Sequence, residues 1–376
     1  MGDSIDYDVI VVGAGPGGLV AGERAARGGA SVLVVDRKKE IGSPVRCAEG
    51  LGLPAFKLLD LDTSSDFVSN SVNRFIMVSP KGRKLDVTVP YKEFSLYILD
   101  RTGFEKALAQ RLKGAKGELM LDTSVTGLTS ENGVVKGVDT NRGELSARVI
   151  IGADGVESNI GRWSGMTKRL KMNQIFSAAE YDLAGMEGAD DHFEIHFGSA
   201  LAPGGYAWVF PKGEGEVNLG LGVLASTRKR PVELLNKFKE RRAARAQPIR
   251  FVTGCIPSTL PPALTVKDNI MLVGDAARQT NAVSGGGIAN AIITGKIAGE
   301  VAGRVVSEGR PVSCLKDYEQ LWRAQLEKIL NKKFKQRKYL ENDKKTERMF
   351  SFMKLAARLR PILPKVLLLK WLQPAF

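Results

Sequence analysis

Apolar and polar positions alternate along this chain in three distinct rhythms. Tyr7-Asp8-Val9-Ile10-Val11-Val12 is a short, nearly unbroken apolar run rich in β-branched residues, the pattern of a parallel strand buried on both faces. Ser31–Asp36, Val149–Gly155 and Asn269–Ala277 repeat it. A period of two runs through Phe193-Glu194-Ile195-His196-Phe197, through Tyr206, Trp208 and Phe210, and through Val217-Asn218-Leu219-Gly220-Leu221. That period predicts strands with two different faces. Helical stretches are expected over Leu19–Arg27, Ile288–Val301 and residues 317–360. Residues 66–94 and 165–265 are strand-rich and expected to form one sheet. The element order predicts an α/β fold.

The first strand runs directly into Gly13-Ala14-Gly15-Pro16-Gly17-Gly18 and then a helix, and a second strand ends on Asp36. Each part has a physical role. Gly13 makes the tight turn, Gly15 leaves space for a pyrophosphate against the backbone, and Gly18 lets helix and sheet approach closely. Free N–H groups at the helix start, with the positive end of its dipole, attract phosphate. Asp36 can accept from a ribose diol and disfavours a 2′-phosphate there, which argues against NADP at this site. Further along, Asp154 and Asp275 each follow an apolar strand, at the sheet edge where such folds bind ligands. Taken singly, each is as readily a turn residue as a ligand contact. Ser284-Gly285-Gly286-Gly287 then opens a second helix, a second anion site without the full fingerprint.

Composition narrows the picture. With 376 residues, 43% hydrophobic and 26% charged, the chain is globular, with room for two or three structural units. Residues 310–376 hold 17 Lys+Arg against 6 Asp+Glu, so +11 of the net +14 lies in this last stretch. Three cysteines, none in a CxxC pair, give no disulfide framework and point to a reducing, cytoplasmic compartment. His192 and His196 lie in a strand-like run with no third ligand in view, so no metal site is expected. Neither a signal peptide nor a membrane span is expected.

The order GxGxxG, then Ala153-Asp154-Gly155, then Gly274-Asp275-Ala276-Ala277 with a glycine-rich helix start resembles the FAD fold of flavoprotein hydroxylases of the para-hydroxybenzoate hydroxylase type. Within it, Gly42-Ser43-Pro44-Val45-Arg46-Cys47-Ala48-Glu49-Gly50 and the run from Pro203 to Gly215, with Tyr206-x-Trp208-x-Phe210-Pro211-Lys212, are similar to the geranylgeranyl reductase family, over roughly residues 7–310. The resemblance implies a Rossmann-type FAD-binding domain from 1–65, 95–164 and 266–310. It also implies an inserted β-rich substrate domain from 66–94 and 165–265, and a helical basic region over 311–376.

The resemblance also implies roles for single residues. Gly17 sits in the phosphate turn and Asp36 at the adenosine ribose. Cys47, Ala48 and Gly50 line the cofactor, Arg101 reaches the pyrophosphate side, and Val125 presents its backbone to the adenine. Asp275, Gly287 and Ile288 complete the site, the last two through backbone N–H groups near the pyrimidine end of the flavin. Such flavoproteins usually carry Asp-Pro where this chain has Asn281-Ala282.

The implied reaction saturates isolated C=C bonds in the geranylgeranyl chains of archaeal-type lipids. An isolated alkene is a poor hydride acceptor, so a proton source is needed. Cys47 is the first candidate and Tyr206 the second. The face made by Tyr206, Trp208 and Phe210 is a candidate wall for an apolar tunnel, or alternatively plain sheet core. With a single GxGxxG, electrons are expected from a transient donor: NAD(P)H, a ferredoxin or a deazaflavin. The C-terminal run from Pro361 to Leu372 is apolar, flanked by Lys and carrying Trp371. It suits an anchor on the inner face of the membrane or a helix packed on its own domain; a nucleic-acid partner is not expected. Competing readings are an aromatic monooxygenase or halogenase, although no Trp-x-Trp-x-Ile-Pro string is present, and a non-catalytic flavin-carrying prenyl-lipid-binding protein.

Overall fold

The computed structural model describes residues 5–89, 95–186 and 188–358. Its first layer is an eight-stranded sheet. Tyr7–Val12 lies at the centre, parallel to Gly143–Gly152 on one side and to Val32–Val35 on the other. Ile270–Leu272 and Glu118–Met120 extend it in parallel. Both faces of these strands are covered, which is why their sequences do not alternate. Val9 and Val11 point into a core with the helices Pro16–Arg27, Arg101–Gly114 and Ile288–Ser307. Ile10 and Val12 point the other way, into a core with Val138, Ile160 and Leu272.

The second layer is a seven-stranded sheet in the order Gln247–Pro257, Ile175–Ala184, Glu216–Leu224, Tyr206–Gly213, Phe193–His196, Arg74–Val78, Lys84–Thr88. One face buries Ala179, Leu183, Val209, Leu219 and Leu221 against Leu235 and Phe238 of helix Pro231–Arg242. The other face overlooks the parallel sheet's ligand edge across a cavity.

The expected single sheet from 66–94 and 165–265 needs a correction. Residues 74–88 do join it, but Val68–Val72 pairs with Leu96–Leu99, which also takes Gly50–Gly52 on its other edge. Leu96–Leu99 is buried throughout and needs partners on both edges to satisfy its backbone. The C-terminal region is helical over Lys316–Trp322, Lys328–Arg337 and Asp343–Arg358, joined through a wider turn at 323–327 and a break near 338–342. Phe350 and Met353 pack against Phe75, Met77 and Phe193, so this last helix closes over the second sheet. The run 361–372 lies outside the described residues.

Candidate active site

The glycine turn is built as its sequence requires. Gly13 has φ +108°, and a side chain there would meet the Ala153 carbonyl at 2.4 Å. A Cβ on Gly18 would lie 1.8 Å from the Gly13 oxygen, whereas one on Gly15 would meet nothing within 4 Å. Gly15 therefore leaves open space at the start of helix Pro16–Arg27, where no side chain caps the free N–H groups. Asp36 holds the turn itself: its carboxylate accepts from the Ala14 N–H at 2.7 Å and the Lys38 N–H at 2.8 Å. Its backbone carbonyl accepts from Thr123, two residues before Val125, so both lie at one end of the site. Neither Asp36 nor Val125 lines the large cavity.

The second helix start is reached through a loop that Asn281 holds. Its side-chain oxygen accepts from the N–H groups of Val283 (2.9 Å) and Ser284 (3.3 Å), and its backbone bonds to Gly285 and Gly286. An asparagine turn thus shapes the loop at Asn281-Ala282. Gly287 caps helix Ile288–Ser307 without a side-chain bond, leaving its first N–H groups free. Asp275, half-buried, accepts from the Thr280 hydroxyl, and desolvation pushes its carboxyl up. Asp154 lines the same cavity as Asp275 and also holds a turn: its carboxylate accepts from Ser158 Oγ (2.6 Å) and from the N–H groups of Asn159 (2.7 Å) and Ile160 (3.0 Å), capping the short helix Asn159–Trp163.

The two helix starts are locked together. Ala291, Gly295, Gly299 and Gly303 recur every fourth residue and face Gly17, Ala21, Ala25 and Gly28 of the first helix, backbone against backbone. Arg101 approaches the same space. Its guanidinium donates to Glu105 at 2.6 Å, while its buried Nε has no protein partner. An orphaned buried donor beside two uncapped helix N-termini and an open glycine is the arrangement a dinucleotide pyrophosphate satisfies. Gly15, Gly17, Cys47, Ala48, Gly50, Arg101, Asp275, Gly287 and Ile288 all line this cavity, whose volume is about 1020 Å³.

The register of the second sheet sets three rows side by side, the first two on the cavity floor and the third at its margin, where only Phe210 reaches the cavity. Tyr206, Gly222, Ala178 and Gly254 form the first; Trp208, Gly220, Glu180 and Val252 the second; Phe210, Asn218, Asp182 and Arg250 the third. Ile195 and Met77 continue the second row, and Phe75 stands opposite Phe193 on the neighbouring pair. The side of Tyr206, Trp208 and Phe210 is therefore bulky and aromatic, while the other side is small in the first row and charged in the third. Tyr206, Trp208 and Phe210 all line the cavity, while Ala207 and Val209 between them pack on the helix behind. The Tyr206 hydroxyl donates to the Ser284 carbonyl, and burial pushes its pKa up. Cys47 Sγ accepts from the Glu49 N–H at 3.2 Å, and burial keeps it a neutral thiol.

The third row is polar and was not legible beforehand. Lys212 Nζ reaches Glu49 at 2.6 Å and Asp182 at 3.6 Å, and Arg250 reaches Asp182 at 2.8 Å and Glu49 at 3.7 Å. Glu180 meets this network only through Asn218, which also donates to Asp182 at 3.1 Å. It is 5% exposed, makes no ion pair among the described residues, and its Oε1 has no partner. Burial, with Glu49 and Asp182 nearby, raises its carboxyl from 4.5 to about 7. Helical alternation could not have found it; strand alternation places it opposite Ala179 and Tyr181, but reads as a solvent face. The histidines, by contrast, are engaged with Glu194: His196 at 2.6 Å and His192 at 3.1 Å, beside Arg242. Lys333, Met349 and Met353 of the C-terminal helices also line the cavity.

Fold and site together define an FAD-dependent oxidoreductase. Residues 8–191 match the family model for FAD dependent oxidoreductases, and residues 174–256 match the geranylgeranyl reductase catalytic domain. The chain is 41% identical to a digeranylgeranylglycerophospholipid reductase of Methanothrix thermoacetophila, covering 85% of this chain and 84% of that one. It is 40% identical to one of Methanosarcina acetivorans, covering 84% and 80%. It belongs to the digeranylgeranylglycerophospholipid reductase family. A geranylgeranyl bacteriochlorophyll reductase-like protein of Thermoplasma acidophilum superposes with a TM-score of 0.86 at 32% identity, covering 91% of this chain and 90% of that one. The flavin-dependent brominase Bmp2 shares the fold, with a TM-score of 0.72 at 18% identity over 84% of this chain and 83% of that one.

Proposed function

We propose that this protein saturates the C=C bonds of geranylgeranyl chains in archaeal-type membrane lipids. The observation that carries this reading is the cavity. It runs from the two helix starts that suit FAD onto a floor made by Tyr206, Trp208 and Phe210, at the upper end of the roughly 300–1,000 Å³ usual for small-molecule sites. Gly15, Gly17, Arg101, Gly287 and Ile288 would hold the cofactor, with Asp36 and Val125 at its adenosine end. FAD, when reduced, supplies the hydride that the alkene requires.

The chain's own residues do the rest. The bulky rows exclude water and align a prenyl chain. Cys47 and Tyr206 meet the reacting end of that chain, the thiol neutral and the phenol tied to the loop before the second helix. A transient donor, whether NAD(P)H, a ferredoxin or a deazaflavin, reduces the cofactor, in keeping with a single GxGxxG. The lipid substrate and the basic C-terminal region suit work at the inner face of the cell membrane; among the described residues no helix is long and apolar enough to cross one. The test is anaerobic incubation of the reduced holoprotein with digeranylgeranyl lipid, followed by mass spectrometry. Gain of hydrogen pairs is expected. Unchanged lipid, with FAD bound and lipid present, overturns the proposal.

A further inference from the structure

Resting on that reading, we infer that Glu180 is the acid that protonates the alkene, in preference to Cys47 or Tyr206. The geometry singles it out. In the two rows of the floor that hold Tyr206 and Trp208, it is the one carboxyl. A Cβ on Gly220 would lie 2.3 Å from the Trp208 indole and 2.8 Å from Glu180 Cβ, so indole and carboxyl flank one glycine on the cavity floor. A carboxyl so enclosed, with a free oxygen and no cation in contact, is pushed toward the neutral acid, the form that has a proton to give. Tyr206, in contrast, has committed its proton to the Ser284 carbonyl. The Cys47 thiol holds its proton tightly, being buried near Glu180 and Glu49.

Glu180 itself lines the cavity, so water entering there can return a proton. Asn218, Asp182 and Arg250 form the adjacent row, and Arg250 is 30% exposed. The charged and titratable groups around Glu180 are Glu49, Asp182 and Arg250, with Lys212 bound to the first two and Cys47 beyond Glu49. The two acids disfavour its ionisation, and Arg250 only partly offsets them because it is already paired with Asp182.

The balance is simple. The π bond of the alkene breaks, and one new C–H bond takes the hydride with its electron pair. The other takes the proton of Glu180, leaving a carboxylate that water in the cavity reprotonates. Protonating the less substituted carbon leaves the electron deficit on the tertiary one, where the Trp208 π face stabilises it.

The experiment compares the parent holoprotein with E180Q, E180D and C47A. Pre-reduced protein is mixed with digeranylgeranyl lipid anaerobically, and cofactor reoxidation is followed across pH. E180Q is expected to bind FAD and lipid as the parent does, yet turn over about 10²–10⁴-fold more slowly. The parent rate should fall as pH rises through about 7, where the donor ionises. E180D should keep such a limb, and E180Q should lose it. Independently of turnover, infrared titration of the parent should show the carbonyl stretch of a neutral carboxylic acid, lost in E180Q. E180Q at the parental rate with the parental pH profile overturns the inference while leaving the proposed function intact, as does a comparable loss confined to C47A. A parent that saturates no lipid overturns both.

Discussion

Replacing Gly295 by alanine tests how the two helix starts are held. An ideal Cβ at 295 would lie 2.2 Å from the carbonyl oxygen of Gly17, where ordinary contact begins at 3.4 Å. The obstacle is backbone, so no rotamer change relieves it, and helices Pro16–Arg27 and Ile288–Ser307 must separate by about 1 Å. Overpacking of this kind costs about 1–3 kcal/mol. It acts twice, because Gly17 lies in the phosphate turn and the partner helix carries the Gly287 and Ile288 N–H groups at its own start. Lengthening even one charge-assisted N–H contact to pyrophosphate forfeits about 1.5–3 kcal/mol. FAD affinity should therefore fall about 10–100-fold, measured by quenching of flavin fluorescence on titration of the apoprotein, with thermal unfolding alongside. Gly114→Ala is the control: it sits exposed at the end of helix Arg101–Gly114, where a Cβ meets nothing within 4 Å. It should leave FAD affinity unchanged. Parental FAD affinity and melting temperature in G295A would refute the view that this contact sets the cradle.

Three other perturbations follow from the same geometry. Trp208→Phe removes the indole N–H that donates to Asn218 Oδ1 at 2.7 Å, leaving a fully buried oxygen unpaired; a loss of about 1–3 kcal/mol in urea unfolding is expected. Glu180→Gln should stabilise the protein in a pH-dependent way. The folded carboxyl, at about 7 against 4.5 unfolded, holds its proton longer than the unfolded one, so the parent loses stability as pH rises from about 4.5 to 7. The advantage of E180Q should grow over that window and level off above it at no more than roughly 3 kcal/mol, read from urea midpoints at either end. Arg101→Lys keeps a cation for Glu105 but not the free Nε; it should weaken FAD binding about tenfold with little change in apoprotein stability, checked by the same fluorescence titration.

Much of this protein is written locally. The turn at Gly13, the close approach at Gly18 and the buried strands Tyr7–Val12 and Val32–Val35 depend on residues within a few positions of one another, where sterics and hydrogen bonding leave few options. The alternation at Tyr206, Trp208 and Phe210 likewise determined that they share a face, because strand geometry allows nothing else. What that face meets was decided only by tertiary structure. Glu180 reads in sequence as one acid on the polar side of a strand. It becomes a buried acid with one oxygen unpaired only because the sheet register sets it beside Gly220, which lets Trp208 close against it from a strand more than 20 residues away. The departure of Val68–Val72 from the large sheet and the capping role of Asp154 have the same origin. Burial and partnership are properties of the whole packed chain, and long-range contact, not local pattern, assigns them.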